Sequence, residues 1–276
     1  MSDIAIGRGR KWFHALAGDG RQPEGPRSLL IAHAPLGAEN VTYMALAPDL
    51  QGRFPRARAG EVGLEEAWFG ARAIQNLVAS GTNGARCPIV TIVDAKSQAY
   101  GRREELAGIH LAAAALIAAY AEARMAGHPI IALIVGRAVS ASFLVLCGQA
   151  NRILALDDPR VLVHAMYKDA AARITRRTVA ELDALGETIV PMAYDIRSFH
   201  KLGGLSQLLA IDAPDDPVPK TVERVKSALI DSIADARRSP PDLSSRLESQ
   251  GAIEYRKASL AVREKMTEQW SALQAT

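Results

Sequence analysis

The sequence has few cysteines and few aromatic residues. Cys87 and Cys147 are the only cysteines among its 276 residues, which excludes a disulfide framework and a four-cysteine zinc site. Phe, Trp and Tyr together make up 5% of the chain, which is little for a surface that stacks nucleic acid bases. Such a low cysteine content is typical of proteins from a reducing compartment.

The sequence also lacks a large excess of one charge and lacks long apolar segments. Lys and Arg number 33 and Asp and Glu number 30, so the formal net charge is +3. This balance does not favour nucleic acid or an anionic membrane as the main partner. No apolar stretch reaches the roughly 18 residues of a membrane span, and the N-terminus has no signal-peptide pattern. We therefore expect a cytoplasmic protein with neither nucleic acid nor a membrane as a partner.

Short apolar segments alternate with helical patterns along the chain. Residues 89–93 and 130–135 are apolar almost throughout, as in strands that are buried on both faces. An alanine-rich pattern over about 104–126 predicts a buried helix between them. A second buried helix is expected over 140–150. This alternation predicts an α/β fold with parallel pairing of strands.

A segment rich in Pro and Asp, residues 212–219, follows this region and has the composition of a hinge. Two charged amphipathic helices are predicted after it, over about 220–238 and 249–273. We therefore expect a core over residues 1–211 and a C-terminal helical extension over 212–276. The two helices either cover the core or dock a partner chain.

Two junctions, at which a strand passes through a loop into a helix, are the candidate sites. They span residues 93–101 and 135–143. The second has small residues where the helix begins, and small residues let an external group approach the backbone closely. Because the first N–H groups of a helix have no partner within it, such a turn can bind a developing oxyanion. The alternative is that the small residues only permit tight packing.

The same segments resemble a known family. VGRAVSASFLVLCGQANRILAL and the preceding SQAYGRREELAGIHLAAAALIAAYAEARMAGHP are similar to the crotonase-like carboxyltransferases. Within that family, the gamma subunits of biotin-independent malonate decarboxylase resemble two further segments, RGRKWFHALAG and FPRARAGEVGL. The resemblance therefore covers residues 7 to about 209. It implies a crotonase-like spiral of ββα units, a decarboxylase that works as a hetero-oligomer, and an active site shared with a beta subunit.

The resemblance also implies a mechanism and a set of residues. The malonyl group is expected as a thioester on the CoA-derived prosthetic group of an acyl-carrier subunit, with no metal or cofactor bound by this chain. Main-chain N–H groups then stabilise the enolate that forms when CO2 leaves. The predicted catalytic residues are Val139, Ser140 and Ala141, whose main-chain amides supply part of the oxyanion hole, and Gly136. The predicted substrate-binding residues are Gln98, Ala99, Tyr100, Gly101, Arg137 and Ala138.

The chain departs from the family pattern at three positions. Ala141 and Ser142 replace glycines that usually follow the serine, and Arg137 stands where biotin-dependent relatives often have an acidic residue. An alanine in the first turn of a helix is unstrained, so we expect Ala141 to be tolerated. Arg102, Arg103, Arg137 and Arg152 are candidates for contacts with phosphates of the carrier arm, or else solvated surface residues.

Two alternatives stay open at this point. Ser140 with His164 resembles the nucleophile and base of Clp-type serine proteases, although no third member of a triad is clear. The chain could instead be a catalytically silent scaffold for the beta subunit.

Overall fold

The computed structural model describes residues 7–19, 25–81 and 86–274. Its strands are β1 Leu29–Leu36, β2 Glu39–Leu46, β3 Ile89–Ala95, β4 Ile130–Val139, β5 Arg152–Leu156, β6 Leu162–His164 and β7 Gln207–Leu209. Its helices are α1 Arg8–Ala17, α2 Leu64–Ala79, α3 Arg102–Leu106, α4 Ile109–Met125, α5 Ala141–Cys147, α6 Lys168–Thr175, α7 Val179–Thr188, α8 Ile196–Lys201, α9 Pro219–Arg238, α10 Ser245–Glu248, α11 Gln250–Tyr255 and α12 Lys257–Gln274. Among these helices, none combines the length and the apolar character that crossing a bilayer requires.

The strands form one sheet in the order β1-β2-β3-β4-β5-β7, and β6 pairs with the last part of β4. β1 and β2 form an antiparallel hairpin, and all other pairings are parallel. The predicted α/β fold with parallel strands is confirmed. Because β3 and β4 are parallel neighbours, the loops that follow them leave from the same edge of the sheet, where α/β proteins bind ligands.

The core lies around the central strands. Residues 89–93 and 130–136 are all buried, so both strands are covered on both faces, as their composition predicts. One continuous cluster of buried apolar side chains joins the strands to α1, α2, α4, α5 and α9. Cys147 lies in this cluster, and burial raises the pKa of its thiol to about 12, so it is a packing residue.

Two predicted elements differ from the structure near the site. The helix expected over 104–126 is interrupted at Gly108, whose φ of 82° is left-handed and favours glycine. The strand expected over 130–135 continues as β4 to Val139. It does so because β6 pairs with residues 137–139 and extends the ladder. The turn into α5 therefore falls at Ser140.

The predicted hinge segment is held against the core by α1. The Arg8 guanidinium contacts Asp158 and Asp215 at 3.2 and 2.9 Å and donates to the Val135 carbonyl at 2.8 Å. The Trp12 indole N–H donates to the Pro214 carbonyl at 2.8 Å. These contacts connect the N-terminal helix, β4 and the segment after residue 211.

The two C-terminal amphipathic helices differ in burial. The apolar side of α9 belongs to the main core cluster. α12 has no buried residue and exposes Val262, Met266, Trp270 and Leu273, which recur at helical spacing along one side. The division of the chain at residue 212 stays a prediction.

Candidate active site

The turn between β4 and α5 has an unusual backbone. Ser140 has φ 63° and ψ −148°, a conformation in which glycine is usual and which costs another residue about 1–3 kcal/mol. Its amide donates to the His164 carbonyl at 2.8 Å, which fixes the turn on β6. The Ser142 hydroxyl contacts the carbonyls of Ala95 and Val139 at 2.7 and 2.6 Å. The start of α5 is therefore held to the ends of β3, β4 and β6.

Gln98, in the loop after β3, contacts this turn. Its side-chain oxygen accepts hydrogen bonds from the Ser140 hydroxyl at 3.1 Å and from the Ala141 amide at 3.3 Å. The loop itself is fixed by Val62, whose N–H donates to the Ser97 carbonyl at 3.1 Å and whose carbonyl accepts from the Ala99 N–H at 2.8 Å. The two junctions proposed from the sequence thus meet at one place.

An open cleft of about 890 Å³ lies against this meeting point. Its lining residues come from the loop before α2, the loop after β3, the turn at Ser140 and the α6–α7 region: Arg56, Glu61, Lys96, Ser97, Gln98, Tyr100, Ser140, Met166, Tyr167, Asp169, Ala170, Ala172, Arg173, Arg177 and Val179. Four of these side chains are cationic and two are anionic. The excess of positive charge favours an anionic ligand.

One cation in the cleft is held by a buried carboxylate. Lys96 Nζ lies 3.0 Å from Glu61 Oε1, and the side chains are 38% and 8% exposed. Glu61 Oε2 accepts the Ala59 N–H at 2.9 Å. Both oxygens of the carboxylate therefore have partners, and Glu61 and Lys96 both line the cleft.

The predicted site residues are divided between the cleft and the core. Gln98, Tyr100 and Ser140 line the cleft, and Ala141 adjoins it through Gln98. Ala99, Ala138 and Val139 are buried in the described structure. Gly101 precedes α3 with an extended backbone, and the Arg137 side chain is exposed.

The set of catalytic residues expected from the sequence needs two corrections. Gly136 is buried within β4, and a Cβ there would come within 2.1 Å of Asp94 Oδ1, so its small size accommodates Asp94. Asp94 also accepts the Arg137 N–H at 3.1 Å. The Ser140 amide is bonded to His164 and is therefore not available to a substrate. The Ala141 amide instead faces the side-chain oxygen of Gln98, which a substrate oxygen could replace.

The arginines proposed to contact phosphates differ in burial. Arg152 is buried and bonds to Asp235, Ser239 and Ser245 at 2.5, 2.5 and 3.2 Å, which ties β5 to the C-terminal region. Its assignment to phosphates is therefore wrong. Arg102 and Arg103 are exposed, and their role stays a prediction.

Ser140 and His164 do not form a nucleophile–base pair. The Ser140 hydroxyl donates to Gln98, whereas His164 Nδ1 lies 3.0 Å from the Met166 N–H. The imidazole stacks on Tyr194 with ring centroids 3.9 Å apart, and burial lowers its pKa. The arrangement is that of a packed, neutral histidine. The protease-like alternative needs a hydrogen bond between the Ser140 hydroxyl and the His164 ring, and the Ser140 hydroxyl bonds to Gln98 instead.

Sequence reasoning missed most of the charged cleft. Arg56 lies in the Arg-rich loop before α2, and Lys96 lies in the candidate loop, two residues before the proposed substrate-binding segment. Arg173 and Arg177, on and after α6, carry no local signal that links them to β3 or β4. Within the described residues, no group of three or more His, Cys, Asp or Glu side chains could hold a metal ion.

The fold and the site together define a class. A chain of transcarboxylase 12S, solved with methylmalonyl-coenzyme A and methylmalonic acid, matches with a TM-score of 0.62 at 19% identity, over 88% of this chain and 47% of that chain. The chain thus has the crotonase-like carboxyltransferase fold, as predicted. It belongs to the malonate decarboxylase gamma subunit family, because a sequence model of that family matches residues 57–270.

Individual relatives agree with this assignment. The chain is 46% identical to one chain of a Pseudomonas malonate decarboxylase hetero-tetramer solved with coenzyme A, with a TM-score of 0.90 over 95% of this chain and 99% of that chain. A Pseudomonas MdcD–MdcE hetero-dimer gives 46% identity and a TM-score of 0.87. The malonyl-S-ACP:biotin-protein carboxyltransferase MADD of Malonomonas rubra is 32% identical over 215 residues, 75% of this chain and 70% of that protein. The prediction that the chain is a decarboxylase subunit from a family of hetero-oligomers is confirmed.

Proposed function

We propose that this chain helps to convert a malonyl thioester, carried on the CoA-derived arm of an acyl-carrier subunit, into the acetyl thioester and CO2. The relative from Malonomonas is named for a malonyl-S-ACP substrate, and the Pseudomonas relative was solved with coenzyme A. The cationic lining of the cleft fits the negative charges of both the malonyl carboxylate and the carrier phosphates. No metal or cofactor of this chain is part of the proposal.

The observation that carries the proposal is the Ala141 amide opposite Gln98 Oε1. A thioester oxygen that replaces Gln98 Oε1 at this amide receives a main-chain hydrogen bond. When CO2 leaves, its bonding electrons move onto the thioester oxygen, and the hydrogen bond becomes stronger as the oxygen becomes negative. A single donor of this kind is worth roughly 10²–10³ in rate. A further donor from the partner subunit would complete the hole.

The partner we propose is a beta subunit, with the active site between the two chains. The exposed apolar side chains Val262, Met266 and Trp270 of α12 support this proposal. An isolated helix is marginal in water unless it packs an apolar face against another surface. The acyl-carrier subunit would deliver its arm to the same cleft. We propose a cytoplasmic location for this assembly.

The test is to co-express the chain with a beta subunit and an acyl-carrier subunit and to measure CO2 release from malonyl-carrier protein. We expect release without added biotin-protein. Release that requires a biotin-protein would assign carboxyl transfer instead, as in the name of the Malonomonas relative. Activity carried by the beta and carrier subunits alone would make this chain a silent scaffold.

The serine hydrolase alternative has its own test. Labelling by a fluorophosphonate probe at Ser140 would support it. We expect no labelling, and we expect Ser140→Ala to keep decarboxylase turnover within about threefold, because the proposed role uses no nucleophilic hydroxyl.

A further inference from the structure

Decarboxylation leaves a carbanion equivalent that must be protonated at carbon. The Ala141 amide stabilises charge on oxygen but gives up no proton. The proton must therefore come from another group in the active site or from solvent. The inference that follows rests on the proposed function and concerns the same cleft.

We propose that Lys96, held by Glu61, donates this proton. In the first step the bond between the carboxylate and the methylene carbon breaks, CO2 leaves, and its electron pair forms the enolate. In the second step an N–H bond of the Lys96 ammonium breaks, the proton moves to the methylene carbon, and the nitrogen keeps the electron pair. The acetyl thioester results, and the neutral amine takes a proton from solvent water through the open cleft.

The other polar groups of the cleft are less suited to this step. The Ser97 hydroxyl donates to the Gln98 carbonyl at 2.8 Å, and the Ser140 hydroxyl donates to Gln98 Oε1. The arginines keep their protons, because a guanidinium is not deprotonated in proteins. Tyr100 and Tyr167 are 58% and 45% exposed, and no contact among the described residues fixes their hydroxyl groups. Lys96 combines a transferable proton with a fixed position.

Glu61 provides that fixed position. Its carboxylate is nearly buried and is held by the Ala59 N–H at 2.9 Å, so the ammonium 3.0 Å away has a defined place. A donor must lie within hydrogen-bonding reach of the atom it protonates, and long lysine side chains otherwise sample many rotamers. Glu61 is therefore a positioning residue, while Lys96 touches the substrate.

The position of the ammonium relative to the reacting groups decides its effect on rate. A cation bound only to the malonyl carboxylate would stabilise the ground state, since that charge disappears when CO2 forms. A cation next to the methylene carbon instead faces the charge that develops in the enolate. Lys96 and Gln98 line the same cleft, and Gln98 contacts the Ala141 amide, so both groups are placed to serve one bound thioester.

The experiment compares Lys96→Met, Lys96→Arg and wild type in the reconstituted complex with malonyl-carrier protein. General acid catalysis is worth roughly 10²–10⁴ in rate, so we expect both variants to lose at least about 100-fold in kcat while KM changes by less than about threefold. Lys226→Met is the matched control, because Lys226 also pairs with a carboxylate, Glu223 at 2.9 Å, but lies on α9. Its kcat should equal that of wild type.

Rescue by small amines separates proton donation from a structural role. Added ethylamine should restore turnover of Lys96→Met, and across a series of alkylamines the rescued rate should follow the acidity of the ammonium form. Circular dichroism and gel filtration of the complex verify that the variants are folded. Retention of wild-type kcat by Lys96→Arg, or a folded Lys96→Met that no amine rescues, would overturn the assignment. Absence of turnover in wild type would instead contradict the proposed function.

Discussion

The side-chain oxygen of Gln98 accepts a hydrogen bond from the Ser140 hydroxyl at 3.1 Å. These residues are 42 positions apart in the sequence and join the loop after β3 to the turn after β4. The same oxygen receives the Ala141 amide at 3.3 Å. Gln98 thus occupies the position at which we propose that the thioester oxygen binds.

The first prediction concerns charge at this position. Gln98→Glu places a carboxylate against the Ala141 amide. This carboxylate competes with the enolate for the hydrogen bond and repels the enolate oxygen. We expect kcat to fall by at least about 10-fold, in line with the loss of an oxyanion donor. Gln98→Ala removes the competing oxygen and is the control. Equal kcat values for the two variants would show that the amide does not meet the substrate oxygen.

The second prediction concerns the packing of Gly136 against Asp94. Because a Cβ at Gly136 would lie 2.1 Å from Asp94 Oδ1, Gly136→Ala should destabilise the chain by about 1–3 kcal/mol. Urea unfolding measures this free energy. In an Asp94→Ala background the same change should cost at least ~1 kcal/mol less, since contacting residues are coupled. Strict additivity of the two changes would contradict the contact.

The third prediction concerns acid stability. Burial alone would raise the pKa of Asp158, but the Arg160 backbone N–H and the Arg8 guanidinium hold it below its usual range. Hydrogen bonding from Arg160 lowers the pKa of Asp215 despite some burial. Both folded pKa values lie below the unfolded value of about 3.9, so the stabilisation is present above that pH and is lost as the pH falls through the folded values.

Asp215→Asn tests this network. At pH 7 it should cost about 0.5–1 kcal/mol of unfolding free energy, because Asp215 is partly exposed and its ion pairs are screened by solvent. The difference from wild type should shrink between pH 5 and pH 3 in urea titrations. A difference that is the same at both pH values would show that the charge of Asp215 is not what stabilises the network.

The fourth prediction concerns the exposed side of α12. Trp270→Ser should weaken binding of the beta subunit by at least about 10-fold, because buried tryptophans commonly dominate interfaces. The melting temperature of the chain alone should not change, since Trp270 is 66% exposed. Glu264→Ser, on the opposite side of the same helix, should bind normally in isothermal titration calorimetry. Equal affinities of the two variants would place the interface elsewhere.

The sequence predicts the central sheet well, for a physical reason. Strands buried on both faces require continuous apolar residues, and residues 89–93 and 130–135 have them. The capping box of Thr178 and Glu181 is a similarly local signal, and the structure contains it. The loop at Gln98 and the turn at Ser140 could be paired because parallel neighbouring strands end at one edge.

The details of the site could not be predicted, because they depend on distant contacts. Pairing with β6 extends β4 past Gly136 and engages the Ser140 amide, and nothing between residues 135 and 143 encodes that pairing. The positive φ of Ser140 could not be predicted either, because glycine is the residue that usually indicates such a turn. Arg173 and Arg177 reach the cleft only through the packing of the α6–α7 region.

The most direct test of the account is CO2 release by a reconstituted complex that carries Ala141→Pro. Ala141 is the first residue of α5, where proline is tolerated by a helix but has no N–H to donate. With Ala141→Gly as the control that keeps the amide, and with both variants verified as folded and assembled, we predict a loss of at least about 100-fold in kcat for proline alone. Equal turnover by the proline and glycine variants would contradict the role of this amide.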